Sequence, residues 1–355
     1  MRESAEQAEL RAAVRSVLDR HEGGAAWAPL TGQIGVAGLY VPEEYGGLGC
    51  GAPEVHVVME ELGRALSPVP YLGSAVLAVV SLIASGDAGA CAELLPGLAE
   101  GRVTGALGWA EGGGWDASDV EASASRDAAG GWRLSGVKEH VLAGGGPGAV
   151  EPGVLLAFAR TSRGLGLFQL EADSAELMYV PTMDGTRPQA RMVLRGAPAR
   201  LVGADGSGER ILARVRDVAC VALAAEQVGG AGRALDDTVR YAKDRVQFGR
   251  PIGSFQAVKH RLADMYVQVE AARSIALAAA YADARTDLAA AAKSACSEAY
   301  AAVAAEMIQL HGGIGITWEH EAHRHFKRAH GAGLLFGSPA AHRRRLADAL
   351  TLLTG

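Results

Sequence analysis

Asp244-Arg245-Val246-Gln247-Phe248-Gly249-Arg250-Pro251-Ile252-Gly253-Ser254-Phe255-Gln256 separates two long alanine-rich runs, 208–243 and 255–284, that carry helical hydrophobic spacing. Gly249 and Pro251 interrupt the helical pattern and turn the chain. A guanidinium at Arg245, an aromatic ring at Phe248 and an amide at Gln256 lie on this one short connection. Together they can grip a phosphate and stack on or hydrogen-bond an adenine. The same residues also suit a plain helical hairpin in which Phe248 and Phe255 plug the core. The stretch by itself leaves both readings open.

Downstream, 286–311 and 333–353 repeat the helical pattern with short breaks, which predicts an antiparallel four-helix bundle over 206–355. The run 286–311 ends in Gln309-Leu310-His311-Gly312-Gly313-Ile314-Gly315-Ile316. There the glycines permit positive φ and close backbone approach, and in isolation the run reads as a glycine C-cap. Upstream, residues 103–205 alternate short Val-, Leu- and Phe-rich runs with Gly-rich turns. Examples are 154–159, 165–170 and 189–194, a texture that predicts a compact antiparallel sheet. Residues 1–102 read as helical over 3–20, 53–66, 70–85 and 87–99, around a Gly/Pro loop at 40–49. The fold class is α+β, in three parts: 1–102 helical, 103–205 β, and 206–355 a helical bundle.

Composition removes several function classes. With 49% hydrophobic and 21% charged residues the chain is globular. Its 34 Lys and Arg against 40 Asp and Glu give a net charge of −6, which offers no basic field for nucleic acid. Arg343-Arg344-Arg345 reads as a solvated helix face. Cys50, Cys91, Cys220 and Cys296 are scattered without a C-x-x-C pair, as suits a reducing cytosol. No apolar signal core opens the chain, and the run near 75–84 is about half of the ~20 residues that span a bilayer. A soluble, cytoplasmic protein with no membrane partner is expected.

Gly112-Gly113-Gly114 and Gly144-Gly145-Gly146 lack the helix that a dinucleotide fingerprint requires and read as turns. His320, His323, His325 and His330 are interleaved with Arg324, Lys327 and Arg328 without an H-E-x-x-H pattern. They read as a charged helix face, and no metal site is expected. No G-x-S-x-G occurs and no cysteine has a catalytic context, so nothing points to a hydrolase.

Taken in order, the motifs resemble the acyl-CoA dehydrogenase family over essentially the whole chain. Tyr40-Val41-Pro42-Glu43-Glu44-Tyr45-Gly46-Gly47-Leu48-Gly49 resembles its N-terminal loop, and Leu134-Ser135-Gly136-Val137-Lys138 the G-x-K strand of its β domain. R-V-Q-F-G-R-P-I-G-S-F-Q (245–256) and Q-L-H-G-G-I-G (309–315) closely match its two flavin motifs. With the continuation Trp318-Glu319-His320, the chain looks most like an actinobacterial branch acting on acyl-CoAs of lipid, steroid or secondary metabolism.

The resemblance implies FAD bound at a dimer interface, its adenine end held by the neighbouring subunit. Carried over, Arg245 meets the pyrophosphate, Phe248 and Gln256 the adenosine half, and Gln309, Gly312 and Gly313 line the same channel. Backbone groups of Trp109, Ala110, Val141 and Leu142 hold the flavin ring. The implied reaction is α,β-desaturation of an acyl-CoA thioester: a glutamate takes the α-proton, the β-hydride goes to the flavin, and electrons pass to an electron-transfer flavoprotein or similar acceptor. That base works as a carboxylate in an apolar slot, where desolvation lifts its pKa.

The departures from the family pattern fall on one side. The glutamate positions hold Phe336 and Ala219. Asp217 lies about 200° around the helix from Ala219, and Glu226 about 10 Å along it. Threonines of the flavin-ring side become Ala110 and Leu142, and the residues after Phe336 become Ser338 and Ala340. The half that reaches a neighbour's FAD is intact, and the half that does chemistry is eroded. The catalytic residue is unassigned. Three readings remain: a base-deficient subunit in a heterotetramer with a catalytic homologue, a homo-oligomeric dehydrogenase with its base elsewhere, and a flavin-free binding or assembly protein of the same fold.

Overall fold

The computed structural model describes residues 3–144, 151–171 and 173–354. Of the glycine run at 144–146, Gly145 and Gly146 lie outside them. The helical signals of the first hundred residues become α1 (Ala5–Arg20), a single turn α2 (Trp27–Pro29), α3 (Ala52–Arg64), α4 (Val79–Ser85), entered through a π-helical stretch Leu72–Ala78, and α5 (Ala88–Ala99). Asp87 caps α5 by accepting the Ala90 N–H at 3.0 Å, as a carboxylate at that position does.

Strands β1 (Thr104–Gly108), β2 (Ser123–Arg126), β3 (Trp132–Val141), β4 (Pro152–Thr161), β5 (Gly164–Leu170), β6 (Glu176–Val180) and β7 (Gln189–Val202) form one seven-stranded sheet. Its order is β1-β4-β2-β3-β7-β5, with β6 on β7; β5 also pairs with β4, closing β4, β2, β3, β7 and β5 into a ring. Most pairs are antiparallel as expected, but β1 and β2 run parallel to β4. Turn residues mark hairpins between successive strands. They say nothing of β1 and β4, which meet after the β2–β3 hairpin and so need no turn between them. Ala106, Leu134, Val141, Phe168, Met192 and Leu194 fill the interior, with Trp132 edge-on to Phe168 at 5.3 Å.

The C-terminal part holds α6 (Gly208–Asp244), a short hairpin of β8 (Val246–Gln247) and β9 (Arg250–Pro251), α7 (Gln256–Tyr281), α8 (Thr286–His311), α9 (Ala322–Leu334) and α10 (Pro339–Thr354). The last segment, read from sequence as one helix over 333–353, is therefore two. Phe336 adopts φ +63°, and Pro339, which has no N–H to donate, opens a new helix.

The chain packs as two units of discontinuous segments. One comprises Met1–Arg11, His56–Ser67 and Cys220–Gly355, the other Ala12–Val55 and Pro68–Ala219. In the first, α3 crosses α6 with backbones in contact. A Cβ on Gly63 would overlap the Glu226 carbonyl, and one on Gly229 the Glu60 carbonyl. Around them Ala231, Ala234, Met265, Val269, Tyr300, Val303 and Met307 form the core. Gly229→Ala is expected to destabilise the protein by about 1–3 kcal/mol through overpacking. A thermal melt that matches wild type would contradict the closeness of this crossing.

Candidate functional site

The stretch 244–256 folds into a hairpin that stands away from the core. Val246 pairs with Pro251 and Gln247 with Arg250. Phe248 and Gly249 form the two-residue turn at φ +51° and +75°, the combination that twists with its strands. The Arg245 N–H donates to the Tyr241 carbonyl and the Ile252 N–H to the Arg245 carbonyl, both at 2.8 Å, which ties the hairpin to the last turn of α6.

Phe248 is 92% exposed, so it does not plug the core. Phe255 is half-buried and carries the Arg250 guanidinium 4.1 Å above its ring. A left-handed backbone costs a side chain such as Phe about 1–2 kcal/mol. The exposed ring also forgoes the roughly 1.5–3 kcal/mol of burial. Both costs are borne to hold an aromatic face outward beside exposed Arg245 and Gln256.

The second motif lies next to the first. His311 ends α8 and stacks on Tyr241, with centroids 4.3 Å apart and planes 27° from parallel, while the Tyr241 hydroxyl donates to the His311 carbonyl at 3.2 Å. This pair joins the root of the hairpin to the glycine turn. Gln309, Gly312 and Gly313 are exposed, and Cβ positions at both glycines face open space. The sequence reading names His311 within the glycine motif without a role and does not single out Tyr241. The available signal was that Tyr241 sits one helical turn before Arg245. The same unit exposes Ile316 and Trp318, the latter 81% open under the Lys327 ammonium.

In the β-rich unit, Trp109 and Ala110 follow β1, while Val141 ends β3 and Leu142 follows it. The Glu139 N–H donates to the Ala110 carbonyl at 2.8 Å and brings the two strand ends together. All four side chains are buried, so only main-chain polar groups are on offer. Nearby, Trp109 meets Trp115 edge-on and Trp115 stacks on His140. Lys138 is buried against Glu111, and burial pushes its ammonium down to about 8 despite that carboxylate. A groove of about 390 Å³ beside this pair is lined by Glu111, Glu121, Glu139 and one cation, Arg191. Three carboxylates make it a poor phosphate site.

At the two glutamate positions the structure has apolar, buried side chains, Phe336 at 2% exposure and Ala219 at none. Glu226 is buried and accepts from Arg328 Nε at 2.9 Å, and Arg328 also reaches the Ser67 carbonyl at 3.3 Å. That carboxylate is engaged by a buried guanidinium. The backbone around Phe336 is nevertheless firmly held. Buried Lys293 donates to the Gly333 and Gly337 carbonyls at 3.1 and 3.2 Å and to Ser297 Oγ at 3.0 Å. His342 Nε2 donates to the Phe336 carbonyl at 3.0 Å.

Family models of the acyl-CoA dehydrogenase N-terminal domain and C-terminal domain match residues 4–102 and 206–351. The chain belongs to the acyl-CoA dehydrogenase family. It is 40% identical over 337 residues to acyl-CoA dehydrogenase IpdE2 of Mycobacterium tuberculosis, covering 94% of this chain and 90% of that protein. To acyl-CoA dehydrogenase FadE34 of the same organism it is 38% identical over 356 residues, 97% of this chain but 45% of the relative. A solved "Tcur3481-Tcur3483 steroid ACAD G363A variant" superposes with a TM-score of 0.85 at 31% identity over 98% of each chain. The family expected from the motifs and its α+β order of helical, β and helical parts both hold, and the family is one of oxidoreductases. Among the described residues no helix is long and apolar enough to cross a membrane.

Phe248→Ala is expected to leave the melting temperature of this acyl-CoA dehydrogenase homologue unchanged; a clear drop would mean that the ring packs on the protein. Arg328→Met, which removes the guanidinium from buried Glu226, is expected to cost about 3–5 kcal/mol in denaturant unfolding. A loss below 1 kcal/mol would release Glu226 for other roles.

Proposed function

We propose that this chain is the base-deficient subunit of a heteromeric, FAD-dependent acyl-CoA dehydrogenase that desaturates an acyl-CoA thioester between its α- and β-carbons. The observation that carries the reading is the pairing of buried Phe336 and Ala219 at both glutamate positions with an outward-held Phe248. Loss of a general base costs about 10²–10⁴-fold, so its work falls to another chain.

Arg245 neutralises a pyrophosphate, Phe248 stacks on adenine, Gln256 hydrogen-bonds the adenosine half, and Gln309 with Gly312 and Gly313 gives the dinucleotide a close main-chain wall. These residues fit the adenine end of FAD: an exposed ring held on strained backbone, a guanidinium, an amide, and glycines with open space above them. At the ring end Trp109, Ala110, Val141 and Leu142 contribute main-chain groups alone. FAD, when bound, supplies the hydride acceptor for the desaturation. Lys293 and His342 hold the carbonyls of the turn that carries Phe336, so the turn keeps its support without a carboxylate.

The partner is a homologous subunit that keeps its glutamate, and the reduced enzyme hands electrons to an electron-transfer flavoprotein or similar acceptor in the cytoplasm. A solved relative whose name joins two proteins supports this pairing. So does FadE34, more than half of which lies outside the match and has room for a second unit on one polypeptide. The helical 1–102, β 103–205 and helical 206–355 parts are proposed as its domains.

Anaerobic acyl-CoA added to the flavin-loaded chain by itself is expected to leave the flavin absorbance intact. Phe336→Glu is expected to restore bleaching. Bleaching by the wild-type chain alone would overturn the proposal. Failure of Phe336→Glu with FAD and acyl-CoA demonstrably bound would overturn the placement of the base.

A further inference from the structure

Shortly beyond the end of α8, three large apolar side chains stand in water. Ile314, Ile316 and Trp318 are 41%, 74% and 81% exposed. Gly315 between the isoleucines is buried, and a Cβ there would press on the Ile308 carbonyl at 2.9 Å. The chain thus touches α8 through the glycine and turns the flanking isoleucines outward. The Thr317 N–H and hydroxyl both donate to the Ile314 carbonyl, at 3.1 and 2.8 Å, and pin this turn.

Trp318 is fixed as well. Lys327 and His323 lie one turn apart on the same face of α9. The Lys327 ammonium sits 4.0 Å over the indole, and the His323 ring meets it edge-on at 4.8 Å. Exposure here is therefore a built feature and not a loose side chain. At the rim, neither Lys327 nor Glu319 has an ion-pair partner among the described residues, and Glu321 is engaged by Arg324 at 2.8 Å.

An apolar centre with a charged rim is the anatomy of a protein–protein contact. Tryptophan is among the side chains that most often carry the affinity of such contacts. Free rim charges of both signs match a protein surface, whereas an anionic lipid surface calls for clustered cations.

Continuity selects the occupant. The turn that carries the isoleucines begins with Gly312 and Gly313, whose Cβ positions face open space. The dinucleotide assigned to those glycines under the proposed function belongs to a second subunit, so the protein that holds it is brought over Ile314, Ile316 and Trp318. Three side chains fall well short of the roughly 800 Å² per partner that a stable contact buries. They are an anchor within a larger contact and not the whole of it.

We propose that Ile316 and Trp318 anchor the homologous subunit that keeps its glutamate, with Trp318 entering an apolar socket whose rim carries a carboxylate opposite Lys327. This rests on the reading of the chain as one subunit of a heteromer.

Trp318 is the one exposed tryptophan among the described residues; Trp27 and Trp109 are buried, and Trp115 and Trp132 partly so. The test compares acrylamide quenching of wild type and Trp318→Phe, each as the full-length chain alone and assembled with the purified glutamate-bearing homologue of the same genome. The difference between the two proteins isolates the Trp318 signal. That signal is expected to be readily quenched in the chain alone and protected about 3-fold or more in the assembly. By sedimentation, Trp318→Ala is expected to weaken assembly about 10-fold or more at an unchanged melting temperature of the isolated chain. Lys327→Glu is expected to weaken it about 3- to 10-fold, with the loss shrinking in high salt.

A Trp318 signal that stays quenchable in the assembly overturns the inference, as does equal assembly of wild type and Trp318→Ala. Protection that grows with concentration in the chain alone assigns the patch to a second copy and also overturns it. In each of these cases the heteromer itself can still form, and the subunit reading stands. If the wild-type chain assembles with no glutamate-bearing homologue, that reading falls and takes the inference with it.

Discussion

Helix α6 runs where it does because Gly63 and Gly229 carry no Cβ. At their crossing each glycine lies against a carbonyl of the other helix, Gly63 on Glu226 and Gly229 on Glu60. Much else follows from that contact. It sets Glu226 where Arg328 on α9 reaches it, and it fixes the line along which α6 continues to Tyr241. Tyr241 in turn anchors both the hairpin, through the Arg245 N–H, and the glycine turn, through His311. A packing constraint in the middle of a helix thus determines where an aromatic ring is offered fifteen to twenty residues later.

Scaffold and chemistry are separable in this member of the acyl-CoA dehydrogenase family. The turn that carries Phe336 has lost its carboxylate but not its support, since Lys293 and His342 still bond the carbonyls of Gly333, Phe336 and Gly337. Lys293 meets three oxygens with three N–H donors, which is how an ammonium tolerates full burial. On the hairpin side the backbone accepts left-handed strain at Phe248 to hold a ring in water. Expenditure of that kind fits a surface made for another molecule.

Much of this was legible in the sequence. Helical periodicity and alanine content set out the helices, and Gly249 with Pro251 located the hairpin. Whether Phe248 plugged the core or faced out was undecidable from composition, because the deciding quantity is the direction of one turn. The parallel pairing of β1 with β4 was hidden for a related reason: turn residues report neighbours in sequence, while those strands meet across an intervening hairpin. The break at 335–338 was readable in Pro339 but masked by the continuous apolar pattern around it. The Tyr241–His311 stack and the Lys293 clamp join residues 70 and 40 or more positions apart, and no local pattern announces such pairs.

The central claim is that this chain lends an adenine-end grip and lacks a base of its own. Its most direct test is the count of flavins reducible by acyl-CoA in the assembly formed with a homologous subunit that retains its glutamate, measured by anaerobic titration against total chains. One reducible flavin for each pair of unlike chains is the expected result. One equally reducible flavin on every chain would contradict it.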